Sequence, residues 1–142
     1  MHATASDVMT KNPVSALPTD TVASVAQLMK ERDIGPVPIV EDKISKKLVG
    51  IVTDRDLALK IVADGRDPNT TPVRDVMTTD VVTCHEEDAI ESTMDAMSKH
   101  QLRRILVVDK NDMLVGIIAQ ADIATRMNEP EKTGEVVKEI SE

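Results

Sequence analysis

Apolar positions along this chain alternate between two spacings, and the changes come in the same order twice. Val22, Val25, Ala26 and Met29 fall at i, i+3, i+4 and i+7, the spacing of one helix face. Asp20 stands just before them as the expected N-cap, since a short acceptor there satisfies an amide that the helix leaves free. A β-branched run from Val37 to Val40, a polar stretch from Glu41 to Lys47 and a second apolar run from Leu48 to Thr53 then predict an antiparallel hairpin. Pro38 has no N–H to donate, so its strand should be an edge there or leave that position unpaired. A second helix is predicted from Asp54, with Leu57, Ala58, Ile61 and Val62 apolar and Asp64-Gly65 as its stop. Residues 13 to 17 form a short extended entry to the series.

The series then repeats. Asp7-Val8-Met9-Thr10 aligns with Asp75-Val76-Met77-Thr78 at an offset of 68, as do Asp20 with Asp88, Met29 with Met97 and Val40 with Val108. From Leu48-Val49-Gly50-Ile51, aligned with Leu114-Val115-Gly116-Ile117, the offset is 66, because the connection from Asp109 to Met113 is two residues shorter. A length change confined to a polar connection is what a surface loop tolerates. The second copy predicts Asp88 as cap, Glu91 at N3, and Ile90, Met94 and Met97 on the helix face. Its hairpin is Ile105 to Val108 with Leu114 to Ala119, and its last helix runs from near Gln120 through Ile123 and Ala124 to Met127.

Two β-α-β-β-α repeats are therefore expected, over residues 6–64 and 74–127. Residues 65–73 join them, where Asp67-Pro68-Asn69-Thr70-Thr71-Pro72 cannot continue a helix. The tail, 128–142, carries Val136, Val137 and Ile140 at a spacing that allows one more amphipathic helix. A repeat of about 60 residues buries little surface alone. The expected architecture is thus α+β, with the two repeats packed on each other about a pseudo-twofold axis and clefts between them.

Composition limits how such a core is built. Among 142 residues there is no Phe, Tyr or Trp, so Val, Ile, Leu, Ala and eight Met must fill it, and a ligand cannot be held by aromatic stacking. A net charge of -8, from 17 basic and 25 acidic residues, argues against counterion-release binding to nucleic acid and against anionic membranes. The single Cys84 excludes an intrachain disulfide and a zinc site of several cysteines, and fits the cytoplasm. A signal peptide and a membrane span are not expected, since no charged-then-apolar leader and no apolar run of about 18 residues is present. His85 and His100 lack spaced metal-ligand partners, and His2 is terminal. With no Gly-rich phosphate loop and no nucleophile beside a base, neither a metal site nor an enzyme is expected.

The candidate chemistry sits where each hairpin turns into a helix. Thr53 and Asp56 are three apart at a helix start, so a hydroxyl and a carboxylate can project together beside unpaired amides. A carboxylate so placed can accept two hydrogen bonds from a cis-diol. The same spacing also serves a helix cap that needs no ligand. Asp122 repeats Asp56, but Ala119 replaces the hydroxyl of Thr53. Arg103 and Arg104, just before a strand, offer guanidinium groups to a phosphate or simply form a solvated edge, and Gly35-Pro36 occupies the equivalent place in the first copy.

The doubled pattern of Asp-Val-Met-Thr, a capped Met-bearing helix, a Pro-Val or Ile-Leu strand, and Val-Gly-Ile followed by Thr-x-x-Asp closely resembles the cystathionine-β-synthase (CBS) domain family in its stand-alone tandem form. The resemblance implies a non-enzymatic regulatory module, often a homodimer, with two inter-repeat clefts for AMP, ADP, ATP or S-adenosylmethionine and a separate target protein. It requires no cofactor, nucleic acid or membrane. It implies that Asp56 and Asp122 bind ribose, that Thr53 lies on the phosphate side with Arg103 and Arg104 as basic phosphate contacts, and that Thr10, Val14, Thr78 and Val82 touch the base. One cleft would combine Thr78, Val82 and Arg103 with Ile51, Thr53 and Asp56; the other would combine Thr10, Val14, Gly35 and Pro36 with Ile117 and Asp122. Ala119 makes the cleft of Thr53 and Asp56 the better expected site, with adenine between aliphatic groups such as Ile51 and Val82. The alternative is an interaction scaffold, a dimer whose clefts are vestigial.

Overall fold

The computed structural model describes residues 3–127. The further helix expected in the tail, and His2, lie outside them. The elements are α1 (Ala5–Val8), β1 (Thr10–Lys11), α2 (Val22–Arg32), β2 (Pro36–Val40), β3 (Leu48–Thr53), α3 (Asp54–Leu57), β4 (Thr83–His85), α4 (Ile90–Lys99), β5 (Arg104–Val108), β6 (Leu114–Ala119) and α5 (Gln120–Met127). A π-helical turn, Ala58–Val62, continues α3, and a 3-10 turn spans Val73–Asp75.

Both hairpins form as their apolar runs require. β2 pairs antiparallel with β3, with Val37 opposite Val52 and Ile39 opposite Gly50. β5 pairs antiparallel with β6, with Ile105 opposite Ile118 and Val107 opposite Gly116. Pro38 costs the hairpin nothing. Its carbonyl accepts from Ala16 N–H at 3.0 Å, so its nitrogen faces away from β3, on the side where no ladder donor is needed.

The chain divides into two compact units whose limits are not those of the sequence repeats. One is Val14–Val81; the other combines Met1–Pro13 with Val82–Glu142. The lead-in Asp7–Thr10 therefore belongs with the second hairpin, and the lead-in Asp75–Thr78 with the first. In Val14–Val81, β3 is bridged to Thr78 and β2 to Ala16. Val22, Val25 and Met29 of α2 pack with Val37, Ile39, Val52, Leu57, Ile61, Val73 and Val76. In the other unit the sheet order is β1-β6-β5-β4. Its core joins Ala5, Val8 and Met9 to Ile90, Met97, Ile105, Val107, Ile118 and Ile123. Full burial of each such aliphatic side chain is worth about 1.5–3 kcal/mol, so each lead-in contributes substantially to the unit it enters.

The two Val-Gly-Ile glycines follow from this packing. A Cβ at Gly50 would lie 2.7 Å from Met77 Sδ and 2.9 Å from Thr78 O, and one at Gly116 would lie 2.8 Å from Met9 Cγ. Each glycine leaves room for the lead-in methionine of its unit.

Four local expectations are corrected. Asp20 and Asp88 do not cap the long helices: Asp20 accepts Leu17 N–H and Asp88 accepts His85 N–H, both at 2.9 Å, closing the turns before them. Thr21 caps α2, accepting Ser24 N–H, while α4 begins after Ala89 without a side-chain cap, which leaves Glu91 at N2. Carbonyls replace the missing side chains, because Val22 and Ala23 N–H donate to Thr71 and Pro68 O, and Ile90 N–H donates to Ala3 O. The joining residues 65–73 are thereby part of a packed helix start. Ala26 is exposed, not on the buried face, and the helix after Thr53 widens to a π turn in which Ala63 N–H donates to Ala58 O and Arg66 N–H to Ile61 O. Ile61 stays buried, and Val62 turns to solvent, 78% exposed.

Candidate functional site

The site is built at the end of β3. In register with β2, Ile51 and Thr53 occupy one face of the strand, while Gly50 and Val52 occupy the other and are buried. Ile51 and Thr53 are only half-buried. Thr53 is the N-cap of α3: its Oγ1 accepts Asp56 N–H at 3.2 Å, and its own N–H donates to Asp56 Oδ2 at 3.0 Å. This reciprocal box satisfies two amides that the helix would leave open and fixes both side chains. Thr78 lies alongside, donating its N–H to Ile51 O at 2.8 Å and accepting Ile51 N–H at 2.9 Å.

Gly35 and Pro36 also lie here. Gly35 O accepts Asp54 N–H at 3.1 Å, and Pro36 is opposite Thr53. A Cβ on Gly35 would stand 3.2 Å from the Asp54 carboxylate, so glycine keeps this strand entry close to α3. Val14, half-buried, belongs to the same unit.

The other unit holds the remaining candidates. Thr10 is opposite Ile117, and Arg104 opposite Ala119. Arg103 O accepts Gln120 N–H at 3.0 Å, and both arginine side chains are exposed. Asp122 Oδ2 accepts Ala119 N–H at 3.2 Å, which is half of the box at Thr53, because Ala119 has no hydroxyl to return. Val82 packs at the margin of this unit's core. One unit thus carries Thr53 with Asp56 beside Gly35-Pro36, and the other carries Asp122 beside Arg103-Arg104.

Sequence reasoning missed Lys60. Its Nζ donates to Val76 O at 3.0 Å and stands 3.5 Å from Asp56 Oδ1. The acid-then-base spacing of four residues was the available signal.

A separate depression of about 470 Å³ is lined by His85, Glu86, Glu87, Asp88, Asp109 and Lys110. Its two aspartates serve the local backbone, with Asp88 on His85 N–H and Asp109 on Asn111 and Met113 N–H. Among the described residues, no group of three or more His, Cys, Asp or Glu could hold a metal ion, and no helix is long and apolar enough to cross a membrane.

The CBS domain profile matches residues 5–63 and again 73–129. This chain belongs to the CBS domain family. The CBS domain-containing protein YhcV of Bacillus subtilis is 38% identical over 135 residues, covering 95% of this chain and 93% of that protein. The crystal structure of Hypoxic Response Protein I with two coordinated zinc ions superposes with a TM-score of 0.77 at 35% identity, covering 87% of this chain and 98% of that one; the corresponding protein, Hypoxic response protein 1, is from Mycobacterium tuberculosis. The CBS domain pair of protein MJ0100, crystallised with 5′-methylthioadenosine and S-adenosyl-L-methionine, superposes with a TM-score of 0.73 at 30% identity, covering 88% of this chain and 95% of that one. The α+β tandem CBS fold is shared with these proteins. In this CBS pair, the two Thr/Ala-x-x-Asp segments occupy equivalent places, each at the end of the second hairpin strand and the start of the following helix.

Proposed function

We propose that this CBS pair is a cytoplasmic, non-enzymatic regulatory module that binds adenosine-containing ligands of the AMP, ADP and ATP class, or S-adenosylmethionine, and signals to a partner protein as a homodimer. The observation that carries the reading is the Thr53–Asp56 box beside Thr78, which holds a carboxylate and a hydroxyl in fixed positions on a half-buried strand end. The adenosine compounds crystallised with MJ0100 support the ligand class. Thr53, Asp56, Ile51 and Thr78 form the better site; Asp122, Ile117 and Thr10 form its weaker counterpart, with one hydroxyl fewer.

Calorimetric titration with AMP, ADP, ATP and S-adenosylmethionine tests this, using Asp56→Asn as the control. Asparagine can still accept Thr53 N–H but cannot accept a diol on both atoms. The variant should lose about 1.5–3 kcal/mol, tenfold or more in Kd. Unchanged affinity in Asp56→Asn would remove the site assignment.

One observation favours an interaction scaffold instead: the capping box accounts for Thr53 and Asp56 without any ligand. Silence for all four ligands, with thermal stability unmoved at high ligand concentration, would establish that reading.

A further inference from the structure

Asp56 already has two internal partners. Oδ2 accepts Thr53 N–H at 3.0 Å, and Oδ1 faces Lys60 Nζ at 3.5 Å. The same ammonium donates to Val76 O at 3.0 Å. Val76 is buried and is followed by Met77, which fills the space over Gly50, and by Thr78, which pairs with Ile51. Lys60 therefore connects the candidate ribose carboxylate to the lead-in that completes its own unit. The π turn sets this up, because Lys60 lies within it, between exposed Leu59 and buried Ile61.

Resting on the adenosine-binding reading above, we propose that Lys60 is a positioning residue that competes with a ligand diol for Asp56, so that ligand binding alters the hold of Lys60 on Val73–Thr78. A diol needs acceptor capacity on both carboxylate oxygens, and the capping bond already uses part of Oδ2. Oδ1 is the oxygen with capacity to give, and the ammonium sits on that side. The lysine side chain is 43% exposed and the aspartate 20% exposed, so the pair is partly screened and can be displaced. On displacement, Nζ loses its anionic partner, and its remaining bond to Val76 O reports the event to the lead-in.

The test compares adenosine with 2′-deoxyadenosine, both uncharged, on the full chain by calorimetry. Lys60→Met should raise the preference for adenosine about two- to fivefold, the factor carried by a half-exposed ion pair. The same variant should speed amide exchange at Val76 to Thr78 in the ligand-free protein. Lys60→Gln keeps a donor for Val76 O without the charge, so it should raise the preference while leaving that exchange nearer to wild type. It also serves if the methionine variant folds poorly. Lys60→Arg should restore the wild-type preference. If wild type binds adenosine but the preference is unchanged in both Lys60→Met and Lys60→Gln, the competition is overturned and the site reading stands. If neither wild type nor any variant binds adenosine or AMP, both fall together.

Discussion

Thr93 and Cys84 show at the residue scale how a core without aromatics accommodates polar atoms. Thr93 is buried, 1% exposed, and its hydroxyl lacks a well-formed hydrogen bond. It lies against the buried Cys84, whose thiol is pushed up in pKa by burial, with the Thr93 hydroxyl partly offsetting this and the Asp88 charge adding to it. Replacing a poorly satisfied buried hydroxyl by a methyl of the same shape removes a desolvation cost. Thr93→Val is therefore expected to be neutral or to stabilise by about 1 kcal/mol, read from the denaturant midpoint. For Cys84, the unfolded chain ionises first as pH rises. Its stabilising contribution is complete below the ordinary thiol pKa of about 8.5 and declines above it, towards the raised folded value. Denaturant midpoints between pH 7.5 and 9.5 should fall in wild type, and this step should be absent in Cys84→Ala.

At the scale of elements, the two capping arrangements after the second hairpin strands differ by a hydroxyl whose cost can be measured. Thr53 completes a capping box with Asp56, whereas Ala119 receives only the return bond from Asp122. Ala119→Thr should add the missing acceptor for the Asp122 amide and raise stability by about 0.5–2 kcal/mol in thermal or denaturant melts. The glycines give the opposite sign. Gly50→Ala should cost about 1–3 kcal/mol by overpacking, since a backbone oxygen, Thr78 O, and the Met77 sulfur both stand within 3 Å of the new methyl. At Gly116 the nearest atoms all belong to the Met9 side chain, so Gly116→Ala combined with Met9→Ala should cost less than the sum of the two single variants.

These elements also show what could be read without coordinates. The hairpins were legible because β-branched runs on either side of a polar stretch have few other solutions, and Thr-x-x-Asp was legible as a cap or a ligand site because both need the same two groups. Helix starts were not. Asp20 and Thr21 are both good cap residues, and only the turn that claims Asp20 for Leu17 decides between them. Nor was the π turn, since Leu57 and Ile61 are four apart and suit either helix type; the exposure of Val62 separates the two only in three dimensions.

For the whole molecule, the repeat was visible in the sequence but the exchange of lead-ins was not. Asp-Val-Met-Thr stands before both bodies, so an alignment of the chain with itself cannot say which copy fills which core. The structure places Val73, Val76 and Met77 with the first hairpin. A fragment of residues 14–81 keeps that entire core, whereas one of residues 1–64, cut at the sequence repeat, lacks all three. The first should melt at higher temperature and protect more amides from exchange than the second, and the reverse order would contradict the assignment of lead-ins.

The exchange also imposes an arithmetic on how such a chain can grow. Two repeats close the account, since each lends its opening segment to the other and none is left over. Adding one further repeat supplies a lead-in and a body that have no counterpart, so the third must fold back on itself or find its complement in another chain. Duplication in pairs avoids that difficulty, because it supplies a methionine to lie over every such glycine, as Met9 lies over Gly116 and Met77 over Gly50.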